Sequence, residues 1–166
     1  MAIQDLIESL EELVGLHNQL LELAHEKKDL IISNDLEQLN GVVNRESRLL
    51  RRVQEVEARR LEAMNRYLIG KGYRPNPQIT VSDVLKLVFR AEDKERLQQA
   101  QKQLLVVMEQ LKAANELNQQ LIRQSLQFIQ FSLDLLAGPE EDEAVYQHPG
   151  HAQATARRSG LFDTRA

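Results

Sequence analysis

The sequence predicts an all-α fold: an elongated antiparallel bundle or coiled coil of three long helices, with a short extra helix and a flexible C-terminal tail. Three observations carry this. The 166 residues include 27 Leu and 17 Gln but no Trp, four Phe and three Tyr, too few aromatic residues for a β-sandwich or barrel. No Pro precedes Pro75, and residues 78–137 contain neither Pro nor Gly. Between these breaks, apolar residues recur at three- and four-residue steps, the spacing that aligns side chains on one face of a helix.

The first helix, over about residues 2–32, has Ile3, Leu6, Ile7, Leu10, Leu13, Val14, Leu20, Leu21, Ala24 and Ile31 on one face. A break is expected near Ser33 and Asn34. The second, about 35–69, opens at Asn34, because Glu37 three residues on completes the pattern in which two side chains satisfy orphan amides of the first turn. Its stripe runs through Leu36, Leu39, Val43, Leu50, Val53, Leu61, Met64 and Leu68 and stops at Gly70. Gly41 within it costs about 1 kcal/mol relative to Ala, which a long packed helix absorbs. After Pro75 and Pro77, Thr80 with Asp83 opens a short helix, 81–89. The third long helix, 93–137, would span roughly 68 Å unbroken, too long for a compact globule. Leu97, Leu104, Met108, Leu111, Ile122, Ile129 and Leu136 form its heptad-like seam. These elements make residues 1–137 one helical domain. Residues 138–166 lack helical period and read as a flexible tail with too little apolar area to offset the entropy of ordering it.

Charge and composition narrow the function. The net charge is −4, and no segment clusters Lys and Arg on one face as a phosphate-tracking surface requires, which argues against nucleic acid. The run Arg45, Arg48, Arg51, Arg52, Arg59, Arg60 and Arg66 is interleaved with Glu46, Glu55, Glu57 and Glu62 and reads as a solvated face with i,i+4 pairs such as Glu55 to Arg59. Without Cys there are no disulfides or thiolate metal sites, and no apolar run approaches the length of a membrane span. A cytoplasmic protein without membrane insertion is expected.

Four His invite a metal reading. His17 and His25 are eight residues apart, however, and lack the i,i+4 partner that helical zinc sites use. No Gly-rich phosphate loop, nucleophile elbow or distinctive acid pair is present, so neither an enzyme nor a cofactor is expected. The C-terminal half of the third helix is more informative. Asn115, Asn118 and Ser125 fall at seam positions, where a buried Asn would fix register and an uncovered one would face solvent. Leu117, Leu121, Ile122, Leu126, Phe128, Ile129, Phe131, Leu133, Leu135 and Leu136 occupy more than one face, which a bundle of this size does not cover without a partner. In the tail, Tyr146 and Leu161-Phe162 have the format of a docking motif.

Along the chain come His25-Glu26-Lys27-Lys28, a short helix opened by Ser82, the run Asn115-x-x-Asn118-x-x-Leu121-Ile122-x-x-Ser125-Leu126, Tyr146 followed by Gly150, and Leu161-Phe162-Asp163. In this order they resemble the flagellar type III export chaperones that escort the hook–filament junction proteins, the FlgN-like family. The resemblance implies a chaperone that binds hook-associated (junction) proteins through its C-terminal half, with Asn115, Asn118, Leu121, Ile122, Ser125, Leu126, Ile129 and Leu133 as the substrate-binding residues. It further implies delivery to the cytoplasmic domain of the export gate, with Tyr146 and Gly150 as the docking residues. The reading from another class is a structural coiled-coil scaffold that self-associates into a homo-oligomer through the same seam.

Overall fold

The computed structural model describes the backbone of residues 1–147 and the side chains of residues 1–138. Four helices follow in order: α1 (Ala2–Ser33), α2 (Leu36–Gly70), α3 (Val81–Leu85) and α4 (Ala91–Gln147), with no strand among the described residues. The all-α class is borne out. The described residues fall into two units, Met1–Ile122 and a second that begins at Arg123.

The link between α1 and α2 departs from expectation. Asn34 does not open α2; it closes α1 in the left-handed region at φ 57°, with its amide donating to the Ile31 carbonyl. Asn tolerates that conformation better than most side chains. Asp35 is the N-cap instead, its carboxylate accepting from the Gln38 amide at 3.1 Å. A link this short needs one residue to end a helix and the next to start one, and Asn-Asp supplies both. At α3 the expected cap is present: the Thr80 hydroxyl accepts from the Asp83 amide at 3.2 Å while the Asp83 carboxylate accepts from the Thr80 amide at 3.1 Å. The Thr80 hydroxyl also donates to that carboxylate at 2.8 Å, and this bond, together with the one from the Thr80 amide, holds the Asp83 carboxyl below its ordinary pKa. This helix ends at Leu85, short of 89, where the Leu87 amide turns back to the Val84 carbonyl.

In the first unit, α1 and α2 run antiparallel, and their ion pairs set the register. Asp5 meets Arg66 at 2.8 Å, Glu12 meets Arg59 and Arg52, and Glu26 meets Arg45 at 2.8 Å. The arginines of this ladder recur every seven residues (45, 52, 59, 66), as do the facing positions Asp5, Glu12, Gln19 and Glu26. The basic run is therefore not solely a solvated face with local pairs. Arg59 reaches across to Glu12 instead of back to Glu55, and the pairs within α2 are Arg52–Glu55, Arg60–Glu57 and Arg66–Glu62. At Glu12, partial burial pushes the carboxyl up, but the hydrogen bonds and charges of Arg52 and Arg59 outweigh it and hold it below its ordinary range.

Under this ladder lies one apolar cluster. Leu6, Ile7, Leu10 and Leu13 of α1 meet Val56, Ala63 and Met64 of α2, Val84 of α3, and Leu97 and Ala100 of α4. Full burial of each large side chain is worth about 1.5–3 kcal/mol. The N-terminal part of α4 runs parallel to α1, since its partners rise in number together: the Gln4 amide donates to Asp93 at 2.9 Å, Arg96 pairs with Glu11 at 2.9 Å, and the Asn118 amide donates to the Ala24 carbonyl at 2.8 Å. His17 lies on the apolar stripe as a nearly buried side chain, its Nδ1 2.7 Å from the Leu13 carbonyl.

In the second unit, α4 is interrupted at Gly138, whose φ of 63° and ψ of −165° suit only glycine. Pro139 then contributes no amide to the ladder and restricts the residue before it. Helical backbone resumes beyond this break and extends to Gln147.

Candidate partner-binding face on the last long helix

Residues 91–137 hold neither Gly nor Pro, so the α4 backbone is continuous and the placement of its side chains follows from about 100° per residue. In the second unit this arithmetic sorts the apolar residues into two groups. Leu126, Ile129, Leu133 and Leu136 recur at steps of four, three, four and three from Ile122, forming an aliphatic seam. Phe128, Phe131 and Leu135 form a second seam, roughly 150° away around the helix. All seven side chains from Leu126 to Leu136 are exposed, from 50% at Ile129 to 86% at Leu136. A soluble helix ordinarily keeps such residues in a core-facing stripe, so this unit presents unusually dense apolar surface to solvent.

What separates the two seams differs on the two sides. Ser125 and Ser132 lie between them on the narrow side, whereas Arg123, Gln127, Gln130 and Asp134 fill the other. Gln130 donates to Asp134 at 3.0 Å across one turn. Arg123 and Asp134 are the only charged residues from 117 to 137, so the surface is nearly neutral. Such a helix has no chemistry of its own and is suited to packing.

The site residues expected from sequence divide between the units. In the second, Ser125, Leu126, Ile129 and Leu133 are exposed on one side of the helix. In the first, Asn115 is exposed, Ile122 is 40% exposed and Leu121 is half-buried. Asn118 is 3% exposed and engaged within the molecule through Ala24, and its Oδ1 has no hydrogen-bond partner. Of the two readings open for the seam asparagines, Asn118 thus takes the buried one and Asn115 the solvent-facing one. Gly150 and the side chain of Tyr146 lie outside the described residues. Phe128, Phe131 and Leu135 were not among the residues that the resemblance singles out, although the helical period alone puts them on a second face.

Elsewhere in the first unit, a cavity of about 380 Å³ is lined by Ile3, Tyr67, Lys71, Val88, Phe89 and Arg90, among others. The Lys71 ammonium sits 4.9 Å from the Phe89 ring centroid and 5.5 Å from that of Tyr67, a cation over aromatic faces. Burial, with the charge of Asp93 adding to it, raises the Tyr67 hydroxyl above its ordinary pKa. Its lining contains no His, Ser or Thr to pair with these groups for catalysis.

Comparison with known proteins places this architecture. The family described as FlgN protein matches residues 1–154. The chain belongs to the FlgN family. FlgN is a family of flagellar export chaperones, not of enzymes. A relative from Bacillus subtilis (strain 168), the uncharacterized protein YvyG, is 31% identical over 167 residues, covering the whole of both chains. No solved structure matches the chain. Among the described residues no helix is long and apolar enough to cross a membrane, and no cluster of three or more His, Cys, Asp or Glu is placed to hold a metal ion.

Proposed function

We propose that the protein is a cytoplasmic chaperone that covers the aggregation-prone helical segments of hook-associated (hook–filament junction) proteins before type III export. In this reading residues 1–137, an antiparallel bundle of the three long helices, form the chaperone domain. The observation that carries it is the exposed apolar surface from Leu126 to Leu136, neutral and of helical period on a family member whose role is to hold partners. Substrate release at the export gate falls to the segment from 138 to 166, with Tyr146 and Gly150 contacting the gate's cytoplasmic domain. Tyr supplies a large ring and one hydroxyl at the cost of fixing two torsions, which suits a docking anchor.

The experiment is calorimetric titration of the full chain with the junction proteins of its own flagellum, comparing the wild type with the double variant Leu126→Asp, Leu133→Asp. Binding by the wild type and loss of at least about thirtyfold in the variant are expected, as for removal of buried anchors worth about 2 kcal/mol, with an unchanged unfolding midpoint. Binding that survives the double substitution contradicts the reading. So does a wild-type chain that forms only a homo-oligomer through this surface, the outcome a self-associating scaffold requires.

A further inference from the structure

The apolar arc of the second unit is wider than one partner helix covers. From Phe131 through Leu135, Phe128, Leu136, Ile129 and Leu133 to Leu126 it spans roughly 220° of the helix circumference, whereas a helix packed against one neighbour presents an apolar stripe of about 100°. We propose that α4 seats two α-helices of a single partner chain side by side, one on the Leu126–Ile129–Leu133–Leu136 seam and the other on the Phe128–Phe131–Leu135 seam. This rests on the chaperone reading and specifies what its surface takes.

Helices are the occupants that fit this spacing. Both seams advance in steps of three and four, matching the knobs-into-holes repeat of helix on helix, and an extended strand with a period of two would meet only part of either seam. The aliphatic seam also keeps the three- and four-residue steps by which Leu97, Ala100, Leu104 and Val107 pack against helices in the first unit. Ser125 and Ser132 fall between the seams, where two seated helices come closest to each other, and their small side chains leave room. Charge agrees: with only Arg123 and Asp134 on this stretch, both on the edge away from the serines, helices flanked by uncharged polar residues meet no unpaired charge.

Symmetry disfavours a second copy as the occupant. A two-fold pair places one seam on its own counterpart and leaves the other seam of each copy uncovered. Packing the aliphatic seam of one copy on the aromatic seam of the next does not close and leads to open assemblies. A hairpin or pair of terminal helices from one partner covers both seams in a closed one-to-one complex.

The chain contains no Cys, so single-cysteine variants Ile129→Cys and Phe131→Cys, each carrying a benzophenone photo-cross-linker, report on the two seams separately. The full-length chain is loaded with a full-length junction protein of its flagellum, irradiated and mapped by mass spectrometry, with stoichiometry from light scattering. Two different helical segments of the same partner, one per site, in a one-to-one complex are expected. Phe128→Ser with Phe131→Ser should lose affinity about as severely as Leu126→Ser with Leu133→Ser, roughly thirtyfold or more. Cross-links from Ile129→Cys alone, both sites reaching one segment, or Phe131→Cys reaching only a second copy each overturn the two-helix proposal while a bound junction protein leaves the chaperone reading standing. Absence of any binding by the unlabelled wild type overturns both.

Discussion

Two stretches of one helix carry the same apolar period with opposite consequences. In the first unit, Leu97, Ala100 and Val107 of α4 are at most 3% exposed. In the second, Leu126, Ile129 and Leu133 are at least half exposed. Composition does not separate the two, since both are Leu- and Gln-rich and both step by three and four. What differs is the neighbouring layer: α1, α2 and α3 supply the first stretch with partners of complementary shape, as Leu6, Met64 and Val84 show. An apolar stripe is thus a demand for a partner, and only the fold decides whether the demand is met within the chain.

The contrast breaks most readily at the level of stability. Leu13→Ala removes a side chain at 0% exposure and should lower the unfolding free energy of the free protein by about 2–5 kcal/mol through lost transfer and cavity terms. Leu133→Ala should stay within about 0.5 kcal/mol of wild type. Urea titrations of the two variants decide, and equal losses would mean that the second stretch is core.

Asn118 sharpens the comparison, because it is the last deeply buried residue of α4 before the exposed stretch. Asn118→Asp puts a charge where one oxygen already lacks a partner and should cost about 1–3 kcal/mol at pH 7. The cost should shrink on acidification, because the buried acid has a raised pKa and destabilises as pH rises through its unfolded value near about 4. Asn118→Leu loses the bond to the Ala24 carbonyl but also removes the unpartnered oxygen, so it should change the unfolding free energy by less than Asn118→Asp does at pH 7.

Smaller effects lie on the outside of the first unit. The lowered pKa of Glu12 contributes stability that is present above its unfolded value and lost as pH falls through the folded one. Glu12→Gln should therefore flatten the acid limb of the stability profile at and below about pH 4.3, and an unchanged limb contradicts the role of its pairs with Arg52 and Arg59. Smallest is Gln19→Glu. Position 19 is exposed opposite Arg52 in the seven-residue register, and a fourth rung there should add about 0.2–1 kcal/mol at low salt and less at high salt.

Much of this was legible in the sequence. Helix content follows from a Leu period uninterrupted by Pro or Gly, and the two-sided apolar character of the last helix can be read from Phe128 and Ile129 standing side by side. Asn34 misled because Asn caps both helix ends, and only the two-residue link, with Asp35 as the better opener, assigns it to the end of α1. The short helix ends before the apolar run does because Leu87, Val88 and Phe89 are apolar without being helical. The arginine ladder was visible as a period of seven. Its partners were not, because the acids facing it lie 19 to 61 residues away and local i,i+4 pairing offered a simpler account. Whether Asn115 or Asn118 is buried depends on whether another helix lies opposite, which spacing along one helix does not encode.

The central claim is that residues 123–137 are a partner surface, whereas residues 97–118 are anchored in the core by one face, through Leu97, Ala100, Val107 and Asn118. Amide hydrogen exchange across α4, measured for the free protein and for its complex with a junction protein, tests it directly, because exchange reports the free energy of local opening segment by segment. The account predicts slow exchange over 97–118 in both samples, with 123–137 exchanging quickly when free and strongly protected when loaded. Equal protection of 123–137 in the two samples, whether fast in both or slow in both, would contradict it.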